Sequence, residues 1–402
     1  MPPLMSCVQR WRRGAKTKKG AFVGEVVVWK SCWLPGSETF IRHQMDALVN
    51  WTPTPLGLRR QPSPLARESD ILLGRPGLRG GLEERLLTFC GWHPRLAAYL
   101  KSLQPDLIHI HFASEARGVD LIARRLGIPY VVTVHGNDVT EAPRRPGFMG
   151  YLYRRSVARV LRGAAHVIAV SDFTKAQAVA LGASEPNCSV AHVGIPVPDR
   201  VDRTPGYDVV FVGRLVPVKG VDHLLRAVAS AERNGNRKIR VGIAGDGPER
   251  DKLVLLAQRL GIQADFLGML DGPGIHTLLA GAKVFVGPSV TTSTHQTEGF
   301  GLVFLEAAAH GLPVASYQSG GIPEAVQDGT TGLLAPEGDM EQLAANITAL
   351  LEDADLRDRM GLAGRERVIR DFDIMRTTAR LESIYASASD GALPGLATQP
   401  PR

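Results

Sequence analysis

The sequence predicts an α/β protein of two Rossmann-like, doubly wound domains that face each other across a cleft. Three observations lead there. Short apolar runs alternate with helix-compatible stretches along most of the chain, the pattern of parallel strands joined by crossover helices. That alternation breaks once, at residues 194–206, where Ile-Pro-Val-Pro-Asp and Thr-Pro-Gly interrupt any periodicity. Glycine-bearing turns follow several of the runs, at the strand ends where ligands of such sheets bind.

The first apolar run covers residues 24–33, turns at Pro35-Gly36, and leads into a helical stretch at 38–49. Residues 52–82, rich in Pro, Arg and Gly, read as a long irregular loop. Strands are expected again at 107–112, 130–135, 166–171 and 189–193, completing the first unit. After the break a second set follows at 208–213, 240–245, 264–267, 284–287, 313–316 and 332–334. Its clearest helices are 221–234, 248–260, 300–310 and 340–352, with a last one at 374–388. The expected division is a basic tail at 1–20, a first domain at 21–196, a linker at 197–206 and a second domain at 207–372. A helix at 373–388 and a frayed end at 389–402 complete it.

At 402 residues, 44% hydrophobic and 22% charged, the composition is that of an ordinary globular protein. The net charge of +7 is local. Arg10, Arg12, Arg13, Lys16, Lys18 and Lys19 supply six of the seven charges, and the balanced remainder speaks against nucleic-acid binding. No apolar segment follows the basic tail to make it a secretory signal, and no run reaches the length of a membrane span. Cys7, Cys32, Cys90 and Cys188 lack the spacing of a zinc site or a disulfide framework, which fits a reducing, cytoplasmic location. His109 and His111 alternate along one strand, too few for a metal site.

The strongest chemical signal lies at 288–326: Pro288-Ser289, Glu298-Gly299-Phe300-Gly301, Glu306, Gly311-Leu312-Pro313-Val314 and Gly320-Gly321-Ile322-Pro323-Glu324. Glu298 sits in a glycine turn, and Glu306 rides the following helix, roughly 9 Å deeper at about 1.5 Å per residue. The helix start formed by Gly299, Phe300, Gly301, Leu302 and Val303 offers free N–H groups to a phosphate. Two carboxylates flanking such a point suit the hydroxyls of a nucleotide sugar. Gly213-Arg214-Leu215 with Lys219-Gly220 places two cations five residues apart after a strand, suited to a diphosphate or simply to solvent. Gly245-Asp246-Gly247-Pro248 opens a helix where glycines let a ligand approach, although such turns also arise for structural reasons; Gly268 has the same status.

In the first domain His135, in Thr133-Val134-His135-Gly136-Asn137-Asp138, ends a buried strand and either enters the cleft or pairs with backbone. Ser37 and Glu38 lie in the other turn aimed at the cleft, as ligand contacts or helix caps. Arg155, Arg159 and Arg162 fall on one helical face among Phe148, Tyr151, Leu152 and Tyr153, suited to an anionic membrane or lipid diphosphate, or to water. Asp353-Ala-Asp355 and Asp371-Phe-Asp373 match a metal-binding D-x-D pattern but stand apart from the phosphate turns and read as structural.

Together these segments resemble the family 4 glycosyltransferases, retaining enzymes of the GT-B fold, over roughly residues 22–388. The stretch 288–326 carries most of the likeness. Residues 37–41 (Ser-Glu-Thr-Phe-Ile) and 109–113 (His-Ile-His-Phe-Ala) look like bacterial exopolysaccharide enzymes of the colanic-acid type. The resemblance implies a hexose transferred from a UDP- or GDP-sugar to a glycan or lipid-linked acceptor, with no cofactor and no metal. It implies Arg214 and Lys219 on the diphosphate, Glu306 on the ribose, Glu298 on the hexose, His135 facing the donor sugar and the base near Gly268. Ser37, Glu38, His111 and Asp138 become acceptor-side candidates. Front-face substitution needs no protein nucleophile, in keeping with the lack of a nucleophile–base pair. The run 290–297, which contains His295, separates Pro288-Ser289 from Glu298 more widely than in many members and is expected to form a flap or specificity loop. The alternatives are a nucleotide-sugar epimerase and a non-catalytic nucleotide-sugar-binding subunit. A cytoplasmic enzyme, possible at the inner membrane face, is expected.

Overall fold

The computed structural model describes residues 23–390 apart from 37, 62, 76, 202–205 and 236. The expected basic tail, residues 391–402 of the expected frayed end, most of the linker's second half and Ser37 therefore lie outside the described residues, while 389 and 390 end the last helix.

Two parallel sheets form the frame. The first has seven strands in the spatial order Ile71–Leu72, Trp51–Gly57, Gly24–Trp29, Leu107–His111, Tyr130–Val134, His166–Ala169, Cys188–Val190. The second has six, in the order Ala264–Gly268, Val241–Ala244, Val209–Val212, Val284–Val286, Val314–Gln318, Gly332–Pro336. In each sheet the chain builds outward on one side, then returns to the first strand and builds on the other. The reversal falls between Gly24–Trp29 and Leu107–His111 in one sheet, and between Val209–Val212 and Val284–Val286 in the other. Crevices open at the carboxyl ends of strands at such reversals. The turns after these four strands begin with Lys30, Phe112, Gly213 and Gly287, so they converge on the cleft.

The chain between 52 and 82 is not a loop. It holds the strand Trp51–Gly57, the short strands Arg59–Arg60 and Ile71–Leu72, and the start of the helix Gly77–Cys90. Pro53 and Pro55 hide the strand from a sequence reading because proline removes a ladder donor. The neighbours of Pro53 and Pro55 face the central strand: Lys30 N–H bonds Leu56 O at 3.1 Å and Gly24 N–H bonds Asn50 O at 3.1 Å. The two prolines thus turn their nitrogens to the outer edge, which Ile71–Leu72 covers only opposite Leu56 and Gly57. Smaller corrections concern ends. The first strand stops at Trp29, the helix after it spans Thr39–Asp46, and the helix expected from Pro248 starts at Arg250.

The last helix, Ile374–Asp390, packs on the first sheet. The Glu382 carboxylate accepts N–H bonds from Val49 and Asn50, both at 2.7 Å, and the Tyr385 hydroxyl meets His109 Nδ1 at 2.6 Å. Asp353 and Asp373 cap helices, accepting N–H bonds from Leu356 and Met375, and Asp371 pairs with Arg370. No helix among the described residues is long and apolar enough to cross a membrane.

Candidate functional site

The turn 297–301 is wedged between the two domains. A Cβ on Gly299 would lie 2.0 Å from His135 O, and one on Gly321 would lie 2.1 Å from Gly299 O. Only glycine lets three backbones meet there. Ser171 of the first domain donates its Oγ–H to Gly299 O at 2.6 Å, and Glu324 of the second accepts the N–H groups of Asp172 and Phe173 at 2.8 and 3.2 Å. That second contact caps the helix Asp172–Ala180 from across the interface. The Glu298 turn is therefore held in place by both domains.

On the second-domain wall, Glu298 Oε2 meets Lys219 Nζ at 2.5 Å and accepts the Ser289 hydroxyl at 3.2 Å. Burial pushes the Glu298 carboxyl up, but Lys219, Ser289 and Arg214 together outweigh it and hold it below the usual carboxylate range. Arg214 is exposed and acts electrostatically on both Glu298 and Glu38, so it stands between the two walls. The helix carrying Glu306 spans Leu302–Ala309. It starts later than the sequence suggests because Gly301 adopts φ 88°, a left-handed conformation outside the helix. Nothing among the described residues accepts the N–H groups of Leu302 and Val303, and the buried side chain of Phe300 stacks on His192 at 4.9 Å. Glu306, half-buried, has no hydrogen-bond partner among the described residues. Burial alone raises its carboxyl to about 7.

The Gly245-Asp246-Gly247 turn is used differently from the expectation. A Cβ on Gly245 would lie 1.8 Å from Gly213 O, and one on Gly247 would lie 2.4 Å from Leu215 O. The glycines let this turn cross the Arg214 turn, and Leu215 N–H bonds Asp246 O at 2.9 Å. They let this turn support the one that carries Arg214. Asp246 caps its own turn through Gly247 N–H. Gly268, whose carbonyl accepts Gly245 N–H at 2.7 Å, borders open space.

The first-domain wall is more closed. His135 lies against the Glu298 turn, with Nε2 bonded to His111 Nδ1 at 3.1 Å and its ring against Phe112 and Phe40. Burial lowers the His135 imidazole to about 3, so the ring is neutral. His111 is buried behind His135, which corrects its expected acceptor role to one of support. Asp138 is corrected in the same way: its buried carboxylate accepts N–H bonds from Ala113, His135 and Gly136 at 2.7, 3.1 and 3.0 Å. Glu38 does border the cleft, paired with Lys30 at 3.0 Å, and its Oε2 is buried without a partner. Burial raises its carboxyl despite Lys30.

Arg155, Arg159 and Arg162 do not form a free stripe. Arg159 pairs with buried Asp120 at 2.8 Å and Arg155 donates to the Tyr151 hydroxyl. The run 290–297 is tethered, with Thr291 bonded to Glu337, Val290 N–H to Val218 O, and a turn closed between Thr292 and Gln296. Nothing in the sequence singles out Lys30, because a lone lysine after a strand is too common to signal a site.

Comparison with known proteins fits this geometry. The family model for Glycosyltransferase Family 4 matches residues 36–197, and that for Glycosyl transferases group 1 matches 200–367. Glycogen synthase of Mycobacterium tuberculosis (strain CDC 1551 / Oshkosh) is 31% identical over 303 residues, 72% of this chain and 71% of that protein. The chain is a family 4 glycosyltransferase. The glycosyltransferase is also 36% identical over 211 residues to D-inositol 3-phosphate glycosyltransferase of Corynebacterium efficiens, half of this chain and 47% of that one. In fold it is similar to Anabaena HepE, solved with UDP and glucose: TM-score 0.71 at 19% identity, over 90% of this chain and 100% of HepE. The two facing α/β domains are thus those of the GT-B glycosyltransferases.

Proposed function

We propose that this glycosyltransferase transfers a hexose from a UDP- or GDP-sugar, with retention of configuration and without a metal, to a glycan or lipid-linked acceptor of a cell-surface polysaccharide. The reading is supported above all by Glu306, a carboxylate kept half-buried and unpartnered just beyond the free N–H groups of Leu302 and Val303. A buried charge without a partner is destabilising, and ribose hydroxyls would satisfy it.

In this reading the diphosphate lies between Arg214, Lys219 and the start of the helix Leu302–Ala309. The two cations and the N–H groups stabilise the charge that grows on the leaving phosphate. Lys219 is held on Glu298, so donor binding lets the lysine bridge carboxylate and phosphate, while the second oxygen of Glu298 takes a hexose hydroxyl. Neutral His135 offers a hydrogen bond to the sugar from the opposite wall without adding charge. The leaving phosphate accepts the acceptor proton, so no protein base is needed. HepE was solved with UDP and glucose, which supports a nucleotide-sugar donor here.

Thermal shift against UDP-, GDP- and ADP-sugars identifies the donor, because a bound ligand stabilises by mass action. The anomeric configuration of the transferred sugar, read by NMR, then tests retention. An inverted product ends the retaining reading, and isomerised sugar formed without acceptor points to an epimerase.

A further inference from the structure

The first domain carries a second cavity system away from the donor wall. A cavity of about 800 Å³ lies between the helices Gly77–Cys90 and Gly147–Gly163. A second of about 350 Å³ shares Glu84, Thr88, Arg117, Arg145 and Tyr153 with it and reaches Phe112 and Asn137. Phe112 packs on His135 at 4.4 Å between ring centres, so the inner end of this system abuts the cleft.

The larger cavity is mainly cationic, whereas in the smaller one Glu84, Glu115 and Asp138 join Arg117 and Arg145. Arg85, Arg117, Arg145, Arg155 and Arg159 line the larger one. Arg159 is neutralised by Asp120, and the lining Glu84 is already engaged by Arg59 at 3.4 Å. Asp138 is consumed by backbone N–H groups. Arg85, Arg117 and Arg145 form no ion pair among the described residues. Arg117 is the telling one. It is half-buried over the Tyr153 ring at 4.7 Å and donates to Ser114 O; burial opposes its charge most, Tyr153 and Glu115 favour it, and Arg145 and Arg159 oppose it. Glu115 is near Arg117 without forming an ion pair with it among the described residues, so an anion seated between Arg117 and Arg145 would offset the remaining burial and repulsion.

The outer end differs. Phe89, Met149 and the neighbouring Phe148 are 55%, 62% and 72% exposed, and the first two line the large cavity. The larger cavity therefore sets arginines beside exposed apolar side chains, and Arg117 and Arg145 stand where it meets the smaller one.

We propose that this channel binds the acceptor, and that the acceptor is an amphiphile bearing a phosphate or diphosphate. The phosphate sits on Arg117 and Arg145, the chain leaves past Phe89 and Met149, and the sugar to be extended reaches His135 and the Glu298 turn. Its role as acceptor site rests on the transferase reading above; the binding itself does not.

The test is calorimetry on the whole chain with monomeric decyl phosphate, compared with inorganic phosphate and decyl maltoside. Decyl phosphate is expected to bind at least ~10-fold more tightly than either, since only it offers both the charge and the chain. Arg85→Glu with Arg145→Glu, both exposed positions, should weaken it at least ~10-fold by reversing the local charge. Phe89→Ser with Met149→Ser should bring it close to inorganic phosphate. Equal binding of decyl maltoside, unchanged affinity after charge reversal, or association only with vesicles of equimolar phosphatidylcholine and phosphatidylglycerol would overturn the proposal. Stabilisation by UDP is read in parallel on every variant; its absence in the wild type counts against the donor reading and leaves the channel result standing.

Discussion

The two walls of the cleft handle their polar groups in opposite ways. On the second domain several are left unmet among the described residues: Glu306 has no partner, Arg214 is exposed, and the first N–H groups of the helix Leu302–Ala309 have no acceptor. On the first domain nearly every polar group beside the cleft is matched internally. His111 and His135 satisfy each other, Asp138 gathers three N–H groups, and Lys30 holds Glu38. A wall with unmet charges is suited to a charged, hydroxyl-rich ligand such as a nucleotide diphosphate. A wall already satisfied serves as a rigid, nearly neutral face against which a sugar is oriented. On the proposed reading the donor belongs to the second domain's wall and shape to the first's.

The comparison breaks most directly at Arg214 and Lys219. Arg214→Ala or Lys219→Met should lower kcat by ~10²–10³, the usual effect of removing one stabiliser of developing charge, with melting temperature little changed. Wild-type turnover in either variant would remove the donor wall from the chemistry. The opposite outcome is expected at Asp138. Asp138→Ala strands three buried N–H groups and should destabilise the fold by about 2–4 kcal/mol in chemical denaturation, while donor affinity measured below the transition stays near wild type.

Glu306 sharpens the contrast through pH. Its carboxyl is raised from 4.5 to about 7 in the folded chain. Between those values the folded state holds a proton that the unfolded chain releases, so this group's contribution to stability falls as pH rises through that window. Glu306→Gln should therefore be the more heat-stable protein at pH 8 and lose that advantage near pH 5. Donor binding should move the other way, because an ionised carboxylate is the better acceptor for ribose hydroxyls. The wild-type KM for donor should rise as pH drops below about 7, and in Glu306→Gln it should be ~10-fold higher and flat with pH. A wild-type KM without pH dependence would detach Glu306 from the ribose. The smallest effect is expected at Glu324, which caps the first domain's helix from the second: Glu324→Gln should change stability by ~1 kcal/mol or less and kcat by a few-fold, read by calorimetry and steady-state rates.

Much of the donor wall was legible in the chain. Arg214, Lys219, Glu298 and Glu306 are polar residues at strand ends and a helix start, and their order suggests the phosphate-binding turn proposed above without any knowledge of packing. The first wall was much less so. His111 and Asp138 look like ligand groups because they flank a turn, and only their burial shows that they support His135. The strand Trp51–Gly57 was hidden by two prolines whose acceptability depends on which edge of the sheet they face. The paired glycines at 245 and 247 read as ligand-facing, yet the approaching atoms are the carbonyls of Gly213 and Leu215.

By itself the sequence determined the class of fold and the alternation of strand and helix, and it singled out the cations and carboxylates proposed to meet the donor, because periodicity and turn chemistry are local properties. Tertiary structure alone decided which polar groups are used up inside the protein and which are left for a ligand. That depends on partners as far apart in the chain as Ser171 and Gly299, or Lys219 and Glu298. Whether a buried charge is satisfied is a property of its surroundings, and no spacing along the chain records it.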